Sequence, residues 1–127
     1  MTIAYWCVLA AIFLPYAFTG FAKFHGDFGP RQNHNPREFL EKLTGPRKRA
    51  HWAQLNSFEV NPGFFVAVVV AHQIGTAAQG TIDGLAITFV VSRVLFGILY
   101  IADKATLRTL VWSIGMAAIA ALFVVSA

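Results

Sequence analysis

RAHWAQLNSFEVNPGFFVAVVVAH, residues 49–72, starts on an arginine and ends in an almost unbroken apolar run, with Asn56 and Glu59 in between. As a helix, positions 49, 52, 56, 59 and 63 return to one side, because steps of three and four residues share a face. Arg49, Trp52, Asn56, Glu59 and Gly63 then form a stripe along a segment long enough to cross a bilayer. Pro62 falls within it and weakens the helix there. Whether this polar stripe enters a membrane depends on the rest of the chain.

The surroundings point to a membrane. Of 127 residues, 57% are hydrophobic and 13% charged, against roughly 45–50% and about 25% in soluble domains. The length suits one domain. Four helices are expected, at 2–22, 48–74, 82–102 and 106–126, each near the ~20 residues needed to cross a ~30 Å hydrocarbon core. The first run has no basic residue before it and no convincing cleavage site after it, so it reads as a retained helix. Pro15 within it suggests a kink rather than an end. The expected fold class is an all-α membrane protein, a bundle of four transmembrane helices.

The net charge of +4 could suggest nucleic acid, but its placement argues against that partner. Lys23, Arg31, Arg37, Lys42, Arg47, Lys48 and Arg49 lie between the first two apolar runs, and Lys104 and Arg108 flank the last turn. GTAAQGTID, between the second and third helices, carries no Lys or Arg. The positive-inside rule places the first and third loops in the cytoplasm and both termini opposite. Membrane lipids with anionic headgroups account for much of the basic charge.

Loop 23–47 has structure of its own. HGDFGPRQNHN is turn-rich. A short amphipathic helix is expected at 36–43, capped by Asn35, with Pro36 in its first turn and Gly45–Pro46 as its stop. Phe39, Leu40 and Leu43 give it an apolar stripe, and Glu38 and Lys42 form an outward i,i+4 pair. It would lie at the membrane surface, cover a cytoplasmic cavity, or serve only as a solvated connector.

Arg93 and Tyr100 share a face of the third helix, seven residues apart. Glu59 and Arg93 each lie about nine residues from the cytoplasmic end of their helix, ~14 Å deep at 1.5 Å per residue. Each needs a partner at that depth, and a Glu59–Arg93 pair is expected, within one chain or across a subunit interface. Such a pair could simply fix helix packing. Together with Arg49, Asn56, Tyr100 and Arg108 it could instead line a polar pocket. Arginines suit carboxylates, a carboxylate suits an ammonium and an asparagine suits an amide. A small zwitterionic peptide with more acid than amine fits that set.

Other chemistry has little support. His25, His34, His51 and His72 show no metal-ligand spacing, so no metal site is expected. There is no phosphate loop and no nucleophile elbow. Cys7 is alone in an apolar helix and reads as packing. Trp6 and Trp112 read as interface anchors; Trp52 belongs to the polar stripe. Gly115, Ala118 and Ala121 give the last helix small residues for close packing.

Arg49–Ala50 followed by Asn56, Glu59 and Pro62, then Arg93 with Tyr100, then Arg108 opening the fourth helix, resembles the MAPEG family, the membrane-associated proteins of eicosanoid and glutathione metabolism. The resemblance covers essentially the whole chain. It implies a homotrimer that binds glutathione as co-substrate between subunits and takes a lipophilic small-molecule substrate from the bilayer. Arg49, Asn56, Glu59, Arg93 and Tyr100 would hold glutathione, and Arg108, by its sulfur, would be the catalytic residue. The implied activity is that of a transferase or peroxidase on lipophilic electrophiles or lipid hydroperoxides. Non-enzymatic binding of lipids or thiols is the alternative, and a purely structural protein a third. Animal enzymes of the family often carry an arginine where Trp52 stands, so eicosanoid synthesis is not implied. The chain looks like the bacterial branch, which implies a multi-pass protein of the inner membrane.

Overall fold

The computed structural model describes residues 1–127 and is entirely helical, with no strand. Its helices are α1 (Ile3–Lys23), α2 (Pro36–Glu41), α3 (Gly45–Ile74), α4 (Gln79–Ile101) and α5 (Ala105–Ser126), with one 3-10 turn at Gln32–His34. Three of them, α1, α4 and α5, are long and apolar enough to cross a membrane. The 30 residues of α3 amount to about 45 Å, but Arg47, Lys48, Arg49 and Glu59 make it more polar.

The four long helices pack side by side. α1 lies against α3 and α4, and α5 against α4 and α3. The main core runs along their common interior: Ala4, Cys7 and Ala11 from α1, Phe64, Ala67, Val68 and Ala71 from α3, Ile82, Ala86 and Phe89 from α4, and Ala118, Ile119 and Leu122 from α5. The many alanines let backbones approach closely, the packing available where lipid gives no hydrophobic drive between helices. Phe64 and Phe89 stack at 4.0 Å across the α3–α4 contact. A β-carbon on Gly115 would stand 2.6 Å from Ser92 Oγ, so glycine sets the α4–α5 approach. Large apolar side chains such as Phe13, Val66, Ile98 and Val124 face outward, as lipid-facing positions would.

Pro15 does not end α1, and the neighbouring helix accounts for this. Proline has no N–H, so the Ala11 carbonyl loses its helical partner. Asn61 of α3 replaces it, donating from Nδ2 to Ala11 O at 2.7 Å in a buried position. Neighbouring helices commonly re-satisfy backbone groups freed by proline in this way. Asn61→Leu should therefore orphan that carbonyl and lower stability in detergent by about 1–3 kcal/mol. In a Pro15→Ala background the backbone N–H restored at that position serves the Ala11 carbonyl, and most of that loss should vanish. Thermal unfolding of the four combinations measures it; additive losses would contradict this pairing.

The segment between α1 and α3 is anchored onto the end of the bundle. Leu40 is buried with Ala22 and Ala50, and Phe39, Leu43 and Ile101 pack around them. Arg47 donates to Ala22 O at 2.8 Å and bidentately to Asp27 at 2.7 and 2.8 Å. Glu38 pairs with Lys42 at 2.5 Å. Glu41 accepts from Lys48 and from His51, each at 3.2 Å. These contacts hold all three carboxyls below the usual carboxylate range: Arg47 acts on Asp27, Lys42 on Glu38, and His51 with Lys48 on Glu41.

Two expectations for this segment need correction. Gly45–Pro46 does not stop the short helix. α2 has already ended at Glu41, and Gly45 and Pro46 open α3. Proline is at home in a first turn, where its missing N–H would have no partner anyway. Asn35 precedes α2, but its side chain makes no capping bond.

Polar side chains close the opposite end. Asp83 accepts from Ala4 N at 2.8 Å, satisfying an N–H of the first turn of α1. His72 Nδ1 donates to Val68 O at 2.8 Å, and its Nε2 lies 3.0 Å from Thr2 Oγ1. Thr76 donates to Ser126 O at 2.8 Å, fastening the end of α5.

Candidate functional site

The polar stripe of α3 faces a cleft of ≈ 620 Å³, lined by Trp52, Leu55, Asn56, Glu59, Phe96, Tyr100, Arg108, Thr109 and Trp112. α3 forms one wall, the C-terminal half of α4 the floor and the first two turns of α5 the other wall. Four of the expected residues, Asn56, Glu59, Tyr100 and Arg108, meet there.

Arg108 and Tyr100 are held by aromatic contacts. The Arg108 guanidinium lies 4.3 Å from the centre of the Tyr100 ring. Tyr100 meets Phe96 edge-on at 5.5 Å and stands 6.3 Å from Trp52. The face of an aromatic ring attracts a guanidinium without neutralising it. Arg108 forms no ion pair, and Glu59 forms none either, although both line the cleft. An uncompensated cation and an uncompensated carboxylate therefore face the same space.

The expected Glu59–Arg93 contact is not formed within the chain. Arg93 is 1% exposed, and its Nη2 donates to Asn56 Oδ1 at 2.9 Å and to Ser57 Oγ at 3.2 Å. Asn56 in turn donates from Nδ2 to Glu59 Oε2 at 3.3 Å. Asn56 therefore stands between them and joins cation to carboxylate through its amide. Equal depth sets the level of the two charges but not their rotation about the helix axes. Arg93 points into the α3–α4 contact, while Glu59 points out into the cleft. Because Arg93 can only donate, it fixes which way the Asn56 amide faces. The Arg93 guanidinium also lies 4.2 Å from the Phe96 ring centre, behind the floor. Its Nε has no partner.

Arg49 is likewise outside the cleft. Its Nε and Nη2 donate to Ile101 O at 3.1 and 3.0 Å. That carbonyl is among the last of α4, which lack partners within the helix and sit at the negative end of its dipole. Arg49 thus ties the start of α3 to the end of α4 below Tyr100.

A family model described as MAPEG family matches residues 3–127. The chain belongs to the MAPEG family. No curated protein and no solved structure matches it significantly.

Leu55, Thr109 and Trp112 also line the cleft of this MAPEG chain, and the sequence does not single them out for it. Trp112 reads as an interface anchor by type, yet it follows Arg108 by four residues. On a helix that spacing puts the two on one face, and this was the available signal. Leu55 and Thr109 flank Asn56 and Arg108 in sequence and carry no signal beyond adjacency. With Trp52 and Phe96, Leu55 and Trp112 give the cleft an apolar lining beside its polar groups.

Proposed function

We propose that this cleft binds glutathione and activates it for transfer to, or reduction of, a lipophilic substrate taken from the bilayer. The observation that carries the reading is the meeting of Asn56, Glu59, Tyr100 and Arg108 in one cleft, with Glu59 and Arg108 both unpaired. A zwitterionic thiol peptide supplies an ammonium for Glu59 and an anionic sulfur for Arg108, and its amides suit the donor and acceptor capacity that Asn56 has left. A guanidinium near a thiol favours the thiolate, which is the nucleophile. Arg93 then acts as a positioning residue through Asn56, and Arg49 through the end of α4. The apolar lining suits the second substrate.

In this reading α3 is the fourth membrane-crossing helix. Its stripe is shielded from lipid by α4, α5 and a neighbouring copy in a homotrimer. The exposed Trp52, Leu55 and Glu59 on the open side of the cleft support such a closure. The basic segment between α1 and α3 and the α4–α5 turn face the cytoplasm, the termini face the periplasm, and the membrane is the bacterial inner one.

Calorimetric titration of glutathione into the purified protein in detergent tests the binding step. Saturable binding is expected, weakened about tenfold or more by Glu59→Gln, the range for losing a charge-assisted hydrogen bond. Absence of binding to the native chain would remove glutathione from the reading. Unchanged binding by the variant would remove Glu59 from the site.

A further inference from the structure

The chain's whole net charge of +4 resides in residues 23–49. Seven of the ten lysines and arginines and three of the six acids lie there, and the remaining charges cancel. Within that segment every acid is engaged: Asp27 with Arg47, Glu38 with Lys42, Glu41 with Lys48 and His51. Arg49 is taken up by the Ile101 carbonyl. Lys23, Arg31 and Arg37 have no acidic partner, and both arginines are exposed.

An aromatic run accompanies these cations. Phe24, directly after the last residue of α1, is 75% exposed. It meets Phe28 edge-on at 6.5 Å, and Phe28 meets Phe39 at 5.1 Å. Lys23 Nζ lies 4.7 Å from the Phe28 ring centre. The 21 residues of α1 span ~31 Å, about one hydrocarbon core. Phe24 therefore stands where the chain leaves the bilayer, the level at which aromatic rings anchor. Leu40 and Arg47 fasten the segment to the helix ends, so it is a fixed surface rather than a free tail.

We propose that Lys23, Arg31 and Arg37, with Phe24 beside them, form a docking surface for anionic phospholipid headgroups. The phenyl ring enters the boundary of the leaflet, and the three free cations face lipid phosphates. The proposal is independent of glutathione. A surface that merely balanced its own charge would leave no free cations, and Phe24 adds an exposed ring at the level of the leaflet boundary.

Native mass spectrometry of the full chain, released from neutral detergent at low salt, tests it by counting retained lipid. Phosphatidylglycerol should be kept in preference to phosphatidylcholine, by about fivefold for each free cation. Lys23→Gln/Arg31→Gln/Arg37→Gln should lower phosphatidylglycerol retention by about two orders of magnitude. Lys23→Arg/Arg31→Lys/Arg37→Lys should keep it, and added salt should weaken it. Circular dichroism shows that each variant remains helical. Equal retention of the two lipids, or undiminished retention by the neutral variant, would overturn the proposal. Competition by soluble glycerol phosphate at concentrations equal to the lipid would also overturn it, because a free phosphate site needs no leaflet.

Discussion

Arg108→Ala is expected to lower glutathione-dependent turnover of a model electrophile by about a hundredfold to a thousandfold, the range for removing one preorganised group that stabilises developing negative charge. The fold should survive. Arg108 forms no ion pair, and its one packing contact of note is with the Tyr100 ring at 4.3 Å. Removing it leaves no buried carboxylate unpaired, unlike the loss of one half of a buried pair. An unperturbed thiol titrates near about 8.5 and is mostly protonated at neutral pH. In the variant, activity should therefore rise with pH toward that value, as the thiolate forms without help. Arg108→Lys should recover part of the rate, since an ammonium keeps the charge but not the planar fork. Steady-state rates of the three forms against pH check this. An alanine variant with the native rate and pH profile would assign the sulfur to another group.

The second large effect concerns packing. Gly97→Ala should destabilise the helical assembly by about 1–3 kcal/mol, toward the upper end. Gly97 is buried in α4, and a β-carbon there would overlap the outer edge of the Phe18 ring of α1. Phe18 has nowhere easy to go. It is buried and packs with Ala53 and Phe96, and Phe96 is part of the cleft floor. Displacing it should therefore loosen the cleft as well as the α1–α4 contact. Phe18→Leu in the Gly97→Ala background removes the ring atoms that would overlap and should restore much of the loss. Thermal unfolding in detergent, read alongside glutathione affinity, measures both. Equal stability of Gly97→Ala and the native chain would mean the helices separate there at little expense.

The sequence revealed some of this architecture more readily than the rest. Apolar runs mark the long helices because membrane helices need length and apolarity together, as α1, α4 and α5 show. The stripe on α3 placed Asn56 and Glu59 on one face because helical geometry is local. What neighbouring helices do was harder to see. Gly45–Pro46 carries the same residues for a stop and for a start, and the fold uses them to open α3. Arg93 and Tyr100 are seven apart on α4, yet one is buried behind Asn56 while the other faces the cleft. Which part of a helix face is covered depends on the neighbours' placement, not on spacing. Arg49 looks like a pocket residue by type, but an unsatisfied carbonyl at Ile101 takes it up. Asn61 gave no sign that it would serve the carbonyl freed by Pro15, fifty residues away on the next helix.

If the cleft of Asn56, Glu59, Tyr100 and Arg108 holds glutathione, it should hold it as the thiolate. Ultraviolet difference spectroscopy of the purified protein in detergent, titrated with glutathione at neutral pH, measures that species directly. The expected result is a saturable thiolate band with the native chain, absent with Arg108→Ala. No band together with no calorimetric binding would contradict this reading and leave a lipid-binding or structural membrane protein in its place.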